Sequence, residues 1–261
     1  MATIHWHCHD CFHRMPQGST AGGIAVVIDV LRASTTIVTA LANGAVGIRP
    51  TFTVAQARAA AAAIGSGTLL GGERGGVQID SFDLGNSPRE YSRQRVANRS
   101  IVITTTNGTA ALNACRDART VLIGALVNCS AVAKFAHALA VSSGIEGIHL
   151  VCAGTDGIAT EEDLLAAGAI LAVGAGLSAD SRLDRSGQDA LNRYRTTIEN
   201  QTCSNEQSLT AALAASIGGI NLSSLGMQDD IAFAALIDSL PVVPIWDQAA
   251  GWLLAAGLPL V

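Results

Sequence analysis

Ala25-Val-Val-Ile-Asp-Val-Leu-Arg-Ala-Ser-Thr-Thr-Ile37 is the stretch on which the fold reading turns. Its apolar start reads as a strand buried on both faces, and it stops at a carboxylate, Asp29. Arg32 follows, and then Ser34, Thr35 and Thr36 open an apparent helix over 34–42. A carboxylate can hold a metal, while an arginine and a helix N-terminus can hold an anion. The spacing therefore predicts a cation and an oxyanion brought together at the end of a strand.

The same plan of apolar strand, polar turn and alanine-rich helix recurs along the chain. Strands at 101–103, 120–126 and 148–152 lead to helices at 110–115, 131–141 and 161–171. Further strands are expected at 46–49, 68–70 and 242–246, with a helix at 54–64. Such alternation argues an α/β fold whose largely parallel sheet is covered on both faces. No linker rich in glycine or proline divides the 261 residues, so one domain, 1–261, is expected. The polar stretch 178–208 reads as a lid or helical insertion, with helical pieces at 188–195 and 206–216.

Composition narrows the function. Hydrophobic residues make up 49% and charged residues 14%, which requires extensive burial. The net charge is −5, and with no basic run the chain is a poor candidate for nucleic acid. Polar residues interrupt every apolar run before it could cross a bilayer, and the N-terminus lacks the plan of a signal peptide. A cytoplasmic protein without membrane contacts is expected. The six cysteines are scattered and read as small core residues, not as a disulfide framework.

Ligands of open α/β sheets bind beyond the carboxyl ends of the strands. The polar clusters 29–36, 71–74, 104–109 and 154–163 are thus expected to converge. Thr104-Thr-Thr-Asn-Gly-Thr109 carries more donors than an N-cap needs, so Thr105, Thr106, Asn107, Gly108 and Thr109 are read as an anion loop. Gly71-Gly-Glu-Arg74 offers Glu73 to a metal and Arg74 to an oxyanion, or is a solvated turn. Asp83 sits in a turn-rich segment that usually serves structure. Asp156 lies in a glycine turn where capping explains it poorly, whereas Thr160 to Asp163 resembles a capping box that accounts for Glu162 and Asp163.

Several common sites are excluded. There is no Walker sequence, and Gly65-Ser-Gly67 precedes a strand where a dinucleotide fingerprint would follow one. Asp29 has no second aspartate two residues on, and Cys152 has no arginine six residues later, which removes two other phosphatase chemistries. His5-Trp-His-Cys-His-Asp-Cys-Phe-His13 would suit zinc, but no second ligand pair follows at zinc-finger spacing. The alternation of His5, His7 and His9 fits the solvated face of an edge strand, and that reading is preferred.

Taken together, Val26-Val-Ile-Asp-Val-Leu-Arg-Ala-Ser-Thr-Thr-Ile37, Gly72-Glu-Arg-Gly75, Phe82-Asp-Leu-Gly-Asn-Ser-Pro88, Thr104-Thr-Thr-Asn-Gly-Thr109 and Cys152-Ala-Gly154 occur in order. In that order they resemble the 2-phosphosulfolactate phosphatase family of coenzyme M biosynthesis. Leu225-Gly-Met-Gln-Asp-Asp-Ile231 and Val242-Val-Pro244 are similar to it too, so the resemblance spans about 24–245. It implies a three-layer α/β/α architecture and Mg²⁺-dependent removal of phosphate from 2-phospho-3-sulfolactate. The histidine-rich N-terminus matches nothing in that family.

The expected activity is thus hydrolysis of a phosphomonoester on a small anionic acid. Asp29, Glu73, Asp83 and Asp156 are the candidate Mg²⁺ ligands, with Asp29, Arg32 and Asp156 as the catalytic set. Arg32, Ser34, Thr35, Arg74 and the 105–109 loop are the candidate phosphate contacts. The expected partner is that small phosphoester, and a homo-oligomer is left open. The alternative is a non-catalytic binder of phosphorylated or sulfonated acids, against which the clustered carboxylates count.

Overall fold

A computed structural model of the chain describes residues 3–199 and 204–257. The first half runs β1 (His5–His9), β2 (Ile24–Ile28), α1 (Ala33–Ala42), β3 (Gly47–Pro50), α2 (Val54–Ile64), β4 (Leu69–Arg74) and β5 (Val77–Gln78). It continues through α3 (Arg93–Val96), β6 (Ser100–Thr104), α4 (Gly108–Ala114), β7 (Thr120–Gly124), α5 (Cys129–Ser143) and β8 (Gly147–Cys152). Then come α6 (Glu161–Gly174), β9 (Arg182–Leu183), α7 (Arg185–Glu199), α8 (Asn205–Ala215), α9 (Ile217–Ser224) and α10 (Gln228–Ala234). A hairpin, β10 (Pro244–Asp247) and β11 (Trp252–Ala255), closes the series.

The strands form one mixed sheet in the order β5-β4-β6-β3-β11-β10-β7-β2-β8-β1-β9. Two parallel groups, β4-β6-β3 and β7-β2-β8-β1-β9, are joined by the antiparallel hairpin. The joins are slight: Ile245 pairs with Leu122 on one side and Leu253 with Ile48 on the other. Helices cover both faces, giving the three-layer α/β/α arrangement. One core lies under α5, α6 and α7. The other gathers α1 and α4 against both parallel groups, with Val27 and Ile123 from one and Ile48 and Ile103 from the other. Helix α1 touches β7, β10, β11 and β3, so it bridges the junction, and the sheet folds around it.

Local chemistry explains the elements. β2 is buried along its whole length between β7 and β8, as its unbroken apolar run requires. α2 opens on a capping box between Thr53 and Gln56, and α5 closes on Gly144 at φ 65°. β1 is not the edge strand. It lies between β8 and the short β9, with Trp6 and Cys8 in the core and its histidines on the opposite face.

The described residues of the stretch 178–208 form β9, α7 and the start of α8, so its helical pieces appear as expected. β9 extends the sheet beside β1, and α7 packs along α6, where Gly168 faces the Ala190 carbonyl. Residues 200–203 of that stretch, Cys203 among them, fall outside the described residues. No helix of the described residues is long and apolar enough to cross a membrane.

Candidate active site

A cavity of about 300 Å³ opens where β2, β4, β6 and β8 end, closed on its far side by α9. Because the sheet folds around α1, the loops after β2 and β6 meet although four strands separate them in the sheet order. Asp29, Glu73, Asp156, Glu162 and Asp163 line it, together with Arg32, Asn86, Thr106 and Asn107.

Asp29 sits immediately after β2. Its Oδ1 accepts the Ala33 amide (3.1 Å), and none of the described hydrogen bonds reaches Oδ2. Burial, aided by the charges of Glu73 and Glu162, pushes its carboxyl up to about 7 against the pull of the Ala33 amide and Arg32. Glu73 is tied down by three donors: the amides of Thr106 (2.7 Å) and Gly76 (2.8 Å) and the Thr106 hydroxyl (3.3 Å). Asp163 accepts the amides of Val30 and Gly154, one on each oxygen, and so joins the loops after β2 and β8. Burial and the neighbouring charges of Glu162 and Asp29 raise its carboxyl well above the usual range. Glu162 shifts in the same direction through burial, and its buried Oε2 has no hydrogen-bond partner.

Arg32 is the cavity's guanidinium, and it is held firmly. Nη1 donates to Asp230 Oδ2 at 2.8 Å and Nη2 to the Gly76 carbonyl at 2.6 Å. Ser87 donates to the other Asp230 oxygen at 2.6 Å, so α10 anchors the arginine from outside the cavity.

Asp29, Arg32, Glu73, Thr106, Asn107 and Asp156 are thus brought together, with Asp156 exposed at the mouth in a left-handed turn, φ 50°. Other expected residues are elsewhere. Asp83 accepts the Leu70 amide and is not among the residues that line the cavity, so it holds a turn there. Arg74 is exposed and spent on the Glu73 and Phe52 carbonyls and Thr104 Oγ1. Ser34 and Thr35 are buried and bonded to backbone, Ser34 accepting the Asp29 amide and Thr35 donating to the Val30 carbonyl. Thr105 and Thr109 bond each other's backbone, so only Thr106 and Asn107 of that loop face the cavity. Gly108 contributes differently: a Cβ there would stand 2.8 Å from Asp29 Oδ2 and 2.6 Å from the Ala33 Cβ. These polar groups satisfy the chain itself, which their spacing could not reveal.

Glu162 and Asp163, by contrast, do more than cap a helix. Thr160 makes no side-chain cap bond, and both acids are buried at the cavity wall. Three consecutive acids in the first turn of α6 were the available signal. The wall supplied by α9 had no motif to mark it, and Asn86 was visible only as a member of the 82–88 motif, with no role attached.

The N-terminal histidines lie apart from this cavity. His9 Nε2 is 3.3 Å from Nδ1 of His149 on β8, and His7 stacks on His149 at 4.8 Å. Burial, with the charges of His7 and His9, pushes His149 down to about 4, and burial also lowers His9.

Similarity to known proteins agrees with the cavity's chemistry. A sequence model of a family described as 2-phosphosulpholactate phosphatase matches residues 11–249. A "Probable 2-phosphosulfolactate phosphatase" of Deinococcus radiodurans is 43% identical over 226 residues, covering 85% of this chain and 86% of its own. Proteins described in the same words from Symbiobacterium thermophilum (39%; 89% of this chain, 95% of its own) and Synechococcus sp. (39%; 95% and 97%) extend the likeness. With a match across most of its length and relatives of this identity, the chain belongs to the 2-phosphosulfolactate phosphatase family.

Proposed function

We propose that this protein is a Mg²⁺-dependent phosphoric monoester hydrolase that converts 2-phospho-3-sulfolactate to 3-sulfolactate and phosphate. The observation that carries the metal is a charge imbalance. Five carboxylates line one small cavity, and its single guanidinium is already paired with Asp230. A multiply anionic substrate would be repelled unless a cation offset those acids. Among the described residues no three His, Cys, Asp or Glu side chains converge to hold a metal by themselves. That suits Mg²⁺, which keeps several waters and takes one or two carboxylates plus substrate oxygens.

Asp29 Oδ2 and the buried Glu162 Oε2, which no described hydrogen bond reaches, would hold the ion. The buried Asn86 Oδ1, also without a partner, would accept from its water shell. When bound, Mg²⁺ supplies charge compensation and polarises a phosphoryl oxygen. Arg32, fixed by Asp230, and the side chain of Asn107 would orient the phosphoryl group. Glu73 holds the Thr106 loop in place. Asp156, at the mouth, would take the proton of the attacking water.

Phosphate release from a panel of phosphorylated hydroxy acids, with and without Mg²⁺, tests the reading. Release from 2-phospho-3-sulfolactate that disappears on chelation and returns with Mg²⁺ is expected. No release from any member of the panel would point instead to a binder of such acids.

A further inference from the structure

The histidines of β1 acquire in three dimensions what they lacked in sequence, a ligand from a distant segment. Alternation along β1 turns Trp6 and Cys8 into the core and leaves His5, His7 and His9 on the other face. Parallel pairing with β8 sets His149 directly opposite His7, on the same side of the sheet. We propose that His7, His9 and His149 form a binding site for a borderline divalent transition metal, Zn²⁺ or a close relative, separate from the catalytic cavity.

The distances favour it. His9 Nε2 and His149 Nδ1 stand 3.3 Å apart. Two nitrogens bound to one tetrahedral zinc at its usual bond length are separated by about 3.3–3.4 Å. Asp184 Oδ2 lies 3.6 Å from His7 Nδ1, which leaves Nε2 of His7 as the donor towards a metal. A carboxylate behind a ligating imidazole is the usual second partner, fixing ring orientation and basicity. Asp184 is itself held by the amides of Cys8 and Gly187. Three donors do not yet meet at one point among the described residues. His7 is half-buried and stacked on His149, so the proposed site requires its ring to leave that stack and turn Nε2 towards the other two nitrogens.

Neither His5–His9 nor His149 lines the catalytic cavity, and of the site's residues His7 and His9 precede the matched family region while His149 and Asp184 lie within it. Imidazoles prefer zinc, nickel or copper, whereas the cavity's oxygens prefer magnesium, so hardness alone sorts the two ions.

The test uses the full chain without an affinity tag, in excess Mg²⁺, titrated with Co²⁺ and followed by visible absorption. One equivalent should give the strong ligand-field band of a four-coordinate site, and one equivalent of Zn²⁺ should abolish it. His9→Gln and His149→Ala should each remove the band while leaving phosphate release unchanged. Asp184→Asn should weaken affinity about 10–100-fold. His9→Gln, on a half-buried side chain, keeps the test decisive even if His149→Ala fails to fold. Absence of the band overturns the proposal, as does weak binding of several equivalents that His9→Gln leaves unaltered. A sulfur-to-cobalt charge-transfer band would overturn it too, by placing the metal on Cys8 or Cys11.

Discussion

Asp29 is the residue at which stability and chemistry oppose each other. Its carboxyl titrates near 7 in the fold against an ordinary 3.8, so the folded chain holds an extra proton between those values. Stability from this group is full below about pH 4 and is lost as pH rises to about 7. Asp29→Asn escapes that loss. Without divalent cations it should be more stable than the parent at pH 8, on the order of 3–4 kcal/mol. The gap should close towards pH 4 in urea titrations, while phosphate release stays nearly abolished at every pH. Arg32 separates two roles in another way. Its ion pair with Asp230 leaves the two side chains only 3% and 4% exposed, so Arg32→Ala strands a buried charge. A cost of about 3–5 kcal/mol in stability is expected, with substrate binding weaker by about 1.5–3 kcal/mol. Arg32→Met combined with Asp230→Leu should recover the melting temperature but not KM. Recovery of both would remove Arg32 from substrate binding.

At the scale of elements, the site depends on how closely the N-termini of α1 and α4 approach. Gly108 opens α4 against Ala33 and Asp29, and a methyl group there has no room on either side. Gly108→Ala should therefore push the Asp29 carboxylate from its place without unfolding the chain. A displacement near 1 Å lowers turnover about 10²-fold. The checks are kcat beside an unchanged circular dichroism spectrum. α9 and α10 act together in a comparable way, α9 forming a cavity wall and α10 carrying Asp230 to the back of Arg32.

For the whole molecule, the β10–β11 hairpin is decisive because, in the sheet of the described residues, it is the piece that joins the two parallel groups of strands. Leu253 is fully buried at the join with β3. Leu253→Ala should lower the stability of the entire sheet by about 2–5 kcal/mol, and one cooperative transition should move, not two separate ones. The strand-turn-helix units and the α/β class were legible because apolar runs and 3.6-residue periodicity are local properties. So was the placing of Asp29, Glu73 and Asp156 at the cavity, since ligands of such sheets bind beyond the carboxyl ends of the strands. β11 and α9 were not legible, because no periodic pattern or motif marks them, and the motifs that hold Asn86 and Asp230 did not disclose that one lines the cavity while the other anchors Arg32 from behind. Ser34, Thr35, Asp83, Arg74, Thr105 and Thr109 looked like ligands because their chemistry suits ligands, yet each is consumed by a neighbouring backbone group. Sequence by itself thus determined the units, their order and which strand ends carry charge, because these follow from neighbours along the chain. Only the folding of the sheet around α1 decided which charges meet, because burial and hydrogen-bond competition depend on neighbours in space.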